Sequence, residues 1–116
     1  MANHDTLNGR LWNAKRDARN RGYAWRLTDA RAIRLFEGEC YWCGAPGPNG
    51  IDRVNNEPYY NSRNSVSCCW ACNQAKRIMT ANQWFHFCLG ITRNTLKKFV
   101  HDSLQGKRTA ITKAVY

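Results

Sequence analysis

Cys40 and Cys43 are separated by two residues, Cys69 and Cys72 likewise, and 25 residues lie between the two pairs. A two-residue spacer lets both sulfurs of a knuckle reach one ion at about 2.3 Å, and four thiolates complete the tetrahedron that zinc prefers. Such a site is closed to substrate and therefore structural. The alternative, two disulfides or unrelated buried cysteines, suits an exported protein, but Met1 to Asp5 do not begin a basic segment leading into an apolar run. An intracellular, cytoplasmic and reducing compartment is expected instead of secretion. Cys68 and Cys88 are left over. Cys68 can substitute for Cys69, but only Cys69 keeps the two-residue spacing to Cys72, so the surplus pair reads as core filler.

Hard oxygen donors stand beside the sulfurs: Asp52 between the pairs and Asn73 directly after the second. Cleaving a phosphodiester needs a cation beside the scissile phosphate and a group that deprotonates the nucleophile. A carboxylate and an amide oxygen, with waters and phosphate, suffice for catalytic Mg²⁺ or Mn²⁺. Taken singly, Asp52 is as easily a turn or salt-bridge residue, and Asn73 a helix-surface amide. Charge supplies the partner class, because 18 Lys plus Arg against 8 Asp plus Glu give +10 over 116 residues. Spread along the chain, this charge favours nucleic acid over a membrane surface, which would take one basic helix with a greasy opposite face. No run of 18 apolar residues occurs, so a membrane-spanning segment is not expected. With 43% hydrophobic and 12% aromatic residues, the chain is too apolar for a disordered basic tail.

The elements that must position these groups suggest a single small α+β domain. Leu7, Leu11, Ala14 and Ala18 recur at helical spacing over residues 6–21, with Arg10, Lys15, Arg16 and Arg19 largely on the other side and Gly22 as C-terminal cap. Thr28 caps a second helix over 29–36, with Ile33 and Phe36 inward and Gly38 closing it. These basic lead-in helices occupy about 6–37, and a zinc-clamped core follows over about 40–79. In that core, Gly and Pro between Cys40 and Gly50 mark a turn-rich knuckle. Residues 51–54 and 64–67 read as two strands of a hairpin, its polar tip carrying Tyr59 and Tyr60, and 70–79 as a helix. C-terminal helices fill about 81–105, one capped by Thr80 with Gln83 and running to Leu89, another opened by Thr92. The tail 107–116 is expected to be frayed.

The segment C40-Y-W-C43, I51-D-R-V54, Y60, N64-S-V-S-C-C69-W-A-C72-N73-Q-A-K76 resembles the HNH endonucleases of the ββα-metal (His-Me finger) superfamily. In that family an Asn opens the second strand, cysteines follow five and eight residues later, and a His or Asn ligand comes directly after. Asn64, Cys69, Cys72 and Asn73 match this spacing. The stretch W12-N-A-K-R-D-A-R-N-R-G22 with L27-T28 is similar to the lead-in helix of phage-encoded relatives, so the resemblance spans most of residues 10–85. It implies a ββα-metal core with flanking basic helices, Mg²⁺- or Mn²⁺-dependent hydrolysis of DNA in nicking, homing or restriction settings, Asp52 and Asn73 as ligands of the catalytic cation, and Asn64 as a structural residue.

The family's Asp-His pair is Asp52-Arg53 here. A guanidinium stays protonated and is no ordinary general base. A variant branch, including a rare-cutting restriction enzyme, is similar at this point: it carries Asp-Arg and, eight residues after the Asp, a Tyr thought to replace the histidine. Tyr60 holds that position. The resemblance thus implies a Tyr60, Arg53, Asp52, Asn73 site in which a phenol, assisted by Arg53 and the metal, serves as base or as direct nucleophile. The competing reading has Tyr60 packing the hairpin and Arg53 gripping a phosphate. His86, within Trp84-Phe85-His86-Phe87, is the reserve base, although helix packing explains it as well; His4 and His101 are expected to be solvated. Lys76, a turn beyond Asn73, either touches a phosphate or stays in solvent, and Arg10, Lys15, Arg16 and Arg19 are expected to grip the DNA backbone.

A different functional class stays open: a zinc-stabilised DNA-binding module without catalysis. A third reading, an RNA-binding knuckle, would stack bases on Trp42, Trp70 and Tyr59, which serve equally as core. One ββα-metal unit cuts one strand per engagement, so a double-strand break requires two encounters or a homodimer, for which Trp84, Phe85, Phe87, Leu96, Phe99 and Val100 offer apolar surface.

Overall fold

The computed structural model describes residues 6–106; the tail 107–116 and His4 lie outside them. The fold is a small α+β mixture of four helices and two small sheets among the described residues, in the order α1 (Leu7–Asn20), β1 (Ala24–Trp25), α2 (Asp29–Glu37), β2 (Gly50–Arg53), β3 (Tyr59–Tyr60), β4 (Ser65–Cys68), α3 (Trp70–Lys76) and α4 (Ala81–Leu104). The chain divides after Thr80 into two units.

In the first unit, the Thr6 hydroxyl accepts from the Gly9 amide at 2.9 Å and starts α1. Arg21 caps its end and Gly22 follows at φ +77°, the left-handed turn that glycine adopts without a Cβ penalty. Thr28 caps α2 in the same way, accepting from Arg31 N at 3.1 Å. Leu11, Leu27, Ala32, Leu35 and Phe36 form the buried core, with Leu7, Ala14, Trp25, Ile51 and Tyr60 packed against it. Ile33, expected to point inward beside Phe36, is only half-buried; Ala32, Leu35 and Phe36 form the buried stripe.

Gly38 ends α2 where the helix meets β4. A Cβ there would lie 2.7 Å from the Ser67 hydroxyl, which donates to the Leu35 carbonyl at 2.6 Å. Strands β2 and β4 are antiparallel, from Gly50 opposite Cys68 to Arg53 opposite Ser65, within a residue of the expected hairpin. Its tip is not a free loop. Tyr59 and Tyr60 pair in parallel with Ala24 and Trp25, joining the tip to the segment between α1 and α2. Buried Asn64 ties the tip down: its amide donates to the Asn55 side chain and the Tyr59 carbonyl, while its oxygen accepts from Asn61 N and the Ser65 hydroxyl.

Helix α3 ends at Lys76, earlier than the expected Met79, because Arg77 turns to φ +51° and the Asn56 side chain donates to the Ile78 carbonyl. The second unit holds α4, one continuous helix where two were expected. The Thr92 hydroxyl donates to the Cys88 carbonyl at 2.8 Å, a back-bond within the helix, so Thr92 caps nothing. Phe85, Phe87, Leu96, Phe99 and Val100 of α4 are exposed. No described helix is long and apolar enough to cross a membrane.

Candidate metal centre and adjoining cavity

The two knuckles come together at the ends of the β2–β4 hairpin. The first is shaped by Cys40 N donating to Ala45 O at 2.8 Å and Gly44 N donating to Cys40 O at 2.9 Å, with Gly44 in the left-handed region. Tyr41 N donates to Ser67 O at 2.8 Å, fastening this knuckle to β4. The second is the start of α3: Cys69 is the N-cap, and its sulfur accepts from Cys72 N at 3.4 Å.

The ligand atoms of Cys40, Cys43, Cys69 and Cys72 all lie within 4.8 Å of one another, and the Cys43 and Cys69 sulfurs are 3.7 Å apart. Four sulfurs held tetrahedrally at about 2.3 Å from a zinc ion stand about 3.8 Å apart, so this cluster has the dimensions to hold one metal ion such as zinc. All six cysteines are free in this structure. Cys68 is excluded from the cluster: it is buried at the end of β4, its thiol donates to its neighbour's carbonyl, and burial pushes its pKa up, as for an inert core thiol. Burial also pushes Cys40 up, but the amides of Cys69, Cys43 and Trp42 outweigh it and bring the thiol down to about 6, favouring the thiolate that a metal needs.

Beside the clamp is a cavity of about 240 Å³ lined by Arg21, Tyr23, Ile51, Asp52, Arg53, Asn56, Tyr60, Asn73, Gln74, Arg77 and Ile78. All four residues of the expected reactive site, Asp52, Arg53, Tyr60 and Asn73, share its wall. Strand β2 delivers Asp52 and Arg53, the first turn of α3 delivers Asn73, and the β1–β3 ladder holds Tyr60, whose carbonyl accepts from Arg26 N at 2.8 Å.

Lys76 departs from expectation. It is 0% exposed and neither meets solvent nor presents itself to a phosphate. Its ammonium lies 3.2 Å and 3.4 Å from the two oxygens of Asp52, itself 7% exposed, and 3.3 Å from the Arg53 carbonyl. Burial of an ammonium is sustained only by such pairing. Trp42, from within the first knuckle, donates its indole N–H to the same carboxylate at 3.4 Å, so the clamp helps orient Asp52. Oδ2 of Asp52 takes both the indole contact and the shorter ammonium contact, and Oδ1 takes the longer one. Asp52 and Asn73 thus stand on the same cavity wall, with a fixed positive charge next to Asp52.

Arg53 donates to the Glu57 carbonyl and lies over two rings, 4.1 Å from the centroid of Tyr23 and 5.6 Å from that of Tyr60. Burial raises the Tyr60 pKa, and the positive charges of Arg53 and Arg21 oppose that rise. Tyr60 also packs on Trp25 with ring centroids 5.3 Å apart, so the packing role weighed against its chemical one is present. Tyr23 and Arg21 are cavity residues that the sequence reading missed; the aromatic pair Tyr23 and Trp25, alternating just after Gly22, was the available sign.

Among the cations expected on DNA, Lys15 pairs with Asp29 at 2.7 Å, Arg16 pairs with Asp17 at 2.9 Å, Arg10 donates to the Asn49 carbonyl at 3.3 Å, and Arg19 is exposed in the last turn of α1. Trp70 is 77% exposed, Trp42 faces Asp52, and Arg26 stacks over Tyr59 at 4.7 Å, so the three proposed base-stacking aromatics do not form a common core. His86 belongs to the second unit, exposed on α4 with its ring edge-on to Phe85 at 5.9 Å.

No protein-family model matches the chain, and no solved structure does. It is similar to an uncharacterized protein of Acanthamoeba polyphaga mimivirus, 32% identical over 74 residues that make up 61% of this chain. The match spans 14% of the viral protein's length.

Two outcomes follow. Metal analysis is expected to find one zinc per chain, and stripping it to cost at least about 3 kcal/mol of stability, or about 12 °C in melting temperature; an unchanged melt after complete removal contradicts a structural metal. Lys76→Met leaves Asp52 buried and unpaired and is expected to lower the unfolding free energy by about 3–5 kcal/mol. Adding Asp52→Asn should recover part of that loss in denaturant titrations, whereas simple addition of the two losses contradicts the pairing.

Proposed function

We propose that the protein is a metal-dependent DNA endonuclease of the HNH type, hydrolysing phosphodiester bonds in the cavity beside its four-cysteine clamp. The observation that carries this reading is the convergence of Asp52, Arg53, Tyr60 and Asn73 on one cavity wall from three separate elements. Net charge of +10 supports a polyanionic substrate.

The oxygens of Asp52 and Asn73 would hold a divalent cation, Mg²⁺ or Mn²⁺. When bound, it neutralises charge developing on the phosphate and stabilises the departing 3′-oxygen. Lys76 and Trp42 fix the Asp52 carboxylate in place. Tyr60, as phenolate, takes a proton from water; the resulting hydroxide attacks phosphorus, the P–O3′ bond breaks, and the leaving oxygen is protonated by solvent. Burial holds the Tyr60 pKa above the ordinary phenol range and Arg53 and Arg21 offset only part of that rise, so the phenolate would depend on the added charge of the bound cation. One such site cuts one strand per engagement, and a double-strand break takes two copies or two encounters.

A second reading, a DNA-binding module without catalysis, is favoured by one observation: the ammonium of Lys76 already occupies the immediate surroundings of Asp52. Cleavage kinetics separate the two. Tyr60→Phe is expected to lose 10²- to 10⁴-fold in single-turnover cleavage of duplex DNA while binding it with unaltered affinity. Asp52→Ala, checked for folding because it strands Lys76, is expected to be inactive at any Mg²⁺ concentration. Parental rates in Tyr60→Phe remove the proposed base, and parental rates in both variants remove the site.

A further inference from the structure

Among the described residues, two besides glycines hold a positive φ, Asn56 at +59° and Arg77 at +51°, and both line the cavity that contains Asp52 and Tyr60. For Asn56 this is an ordinary conformation, because a short amide side chain tolerates it. For Arg77 it is not. With ψ at −121°, and Met79 N donating to Lys76 O at 3.1 Å across it, Arg77 stands at the first central position of a type II′ turn, where glycine is favoured because a Cβ is crowded. The Asn56 side chain donates to the Ile78 carbonyl and so fastens the same turn. Arg77 is exposed, so packing does not explain its place there.

What Arg77 adds is charge. Three guanidiniums, those of Arg21, Arg53 and Arg77, line the cavity against the single carboxylate of Asp52, which is already paired with Lys76. Arg53 is committed to the Glu57 carbonyl and to the faces of Tyr23 and Tyr60. Arg21 arrives as the C-cap of α1 at φ −86°, an unstrained residue. Of the three, only Arg77 has a positive φ. Backbone strain of this kind persists only where the surrounding structure imposes it, and it gathers at sites that grip ligands. A planar fork of donors in a cavity with surplus positive charge matches an anion that presents several oxygens, and the substrate of the proposed reaction brings such an anion in its phosphodiester backbone. We propose that Arg77 is a phosphate-binding residue which, together with Arg21, grips a backbone phosphate of the strand being cut. That the phosphate belongs to DNA rests on the nuclease reading above; the anion site itself is read from the turn and from the charge on the cavity wall.

The test compares Arg77→Gly, Arg77→Ala and Arg77→Lys with the parental full chain, each zinc-loaded and in buffer without Mg²⁺ so that DNA stays intact. Melting temperature is read for every protein, and binding of a short fluorescein-labelled DNA duplex is followed by anisotropy over a range of NaCl concentrations. Arg77→Gly relieves the turn and removes the charge. It should melt about 4 °C above the parent, yet bind DNA about tenfold more weakly, with the slope of log K against log salt about 0.9 shallower. Arg77→Ala removes the charge and keeps the crowded Cβ, so the same loss of binding should come without the gain in melting temperature. Arg77→Lys keeps both charge and strain, and an affinity within about threefold of the parent with an unaltered slope is expected. A merely structural arginine would move stability and binding in the same direction. Parental affinity and slope in Arg77→Gly overturn the proposal, and so does a melting temperature at or below the parent's, since the turn would then be unstrained. A parental protein that binds no DNA overturns this proposal and the nuclease reading together, whereas a shallower slope for Arg77→Gly in a protein that never cleaves removes the nuclease reading and leaves the phosphate contact standing.

Discussion

The geometry around Asp52 depends on four sulfurs meeting at one point. Cys40 and Cys43 lie beyond the end of α2, Cys69 and Cys72 at the start of α3, and the β2–β4 hairpin is the chain between them. A unit of about eighty residues has a modest core, here a cluster of five buried apolar side chains with a half-buried surround. A metal-sized clamp across a 25-residue separation compensates for what that core lacks. It also reaches the chemistry directly: Trp42, inside the first knuckle, contacts Asp52, and Asn73 directly follows the last sulfur. Structural and candidate reactive residues are therefore interleaved in the same short segments, and loss of the clamp would move both.

The Lys76–Asp52 pair gives the site a second fixed point. A buried ammonium against a buried carboxylate contributes little net stability relative to an apolar pair, but removal of either partner strands a charge. Such a pair holds a carboxylate in one orientation, and Lys76 extends the hold to the β2 backbone through the Arg53 carbonyl. On the other side of the cavity, Arg53 rests over Tyr23 and near Tyr60, a cation set against two phenol rings. The wall thus combines one carboxylate that has a dedicated counter-charge with two phenols that share the Arg53 guanidinium.

Sequence patterns located much of this. The cysteine spacing identified all four members of the cluster and excluded Cys68, because a knuckle's reach is set by two intervening residues. Thr28 and Gly38 marked α2, since capping chemistry is local. The β2–β4 pairing was legible within a residue from its flanking turns. What escaped was non-local. The β1–β3 ladder is two residues long and carries no periodicity, yet it fixes Tyr60 and introduces Tyr23. Lys76 read as a phosphate contact or a solvent-facing residue because its partner is 24 positions away. The uninterrupted α4 passes through Gly90 and Thr92, where a threonine's preference for capping yields to a back-bond within the helix.

Cleavage at this cavity is tested most directly by incubating the zinc-loaded protein with supercoiled plasmid, with and without added Mg²⁺. Conversion to nicked and then linear DNA is expected only when Mg²⁺ is present, with zinc content unchanged throughout. Plasmid that is retarded on a gel but stays supercoiled at every Mg²⁺ and Mn²⁺ concentration would contradict it and leave a DNA-binding module in its place.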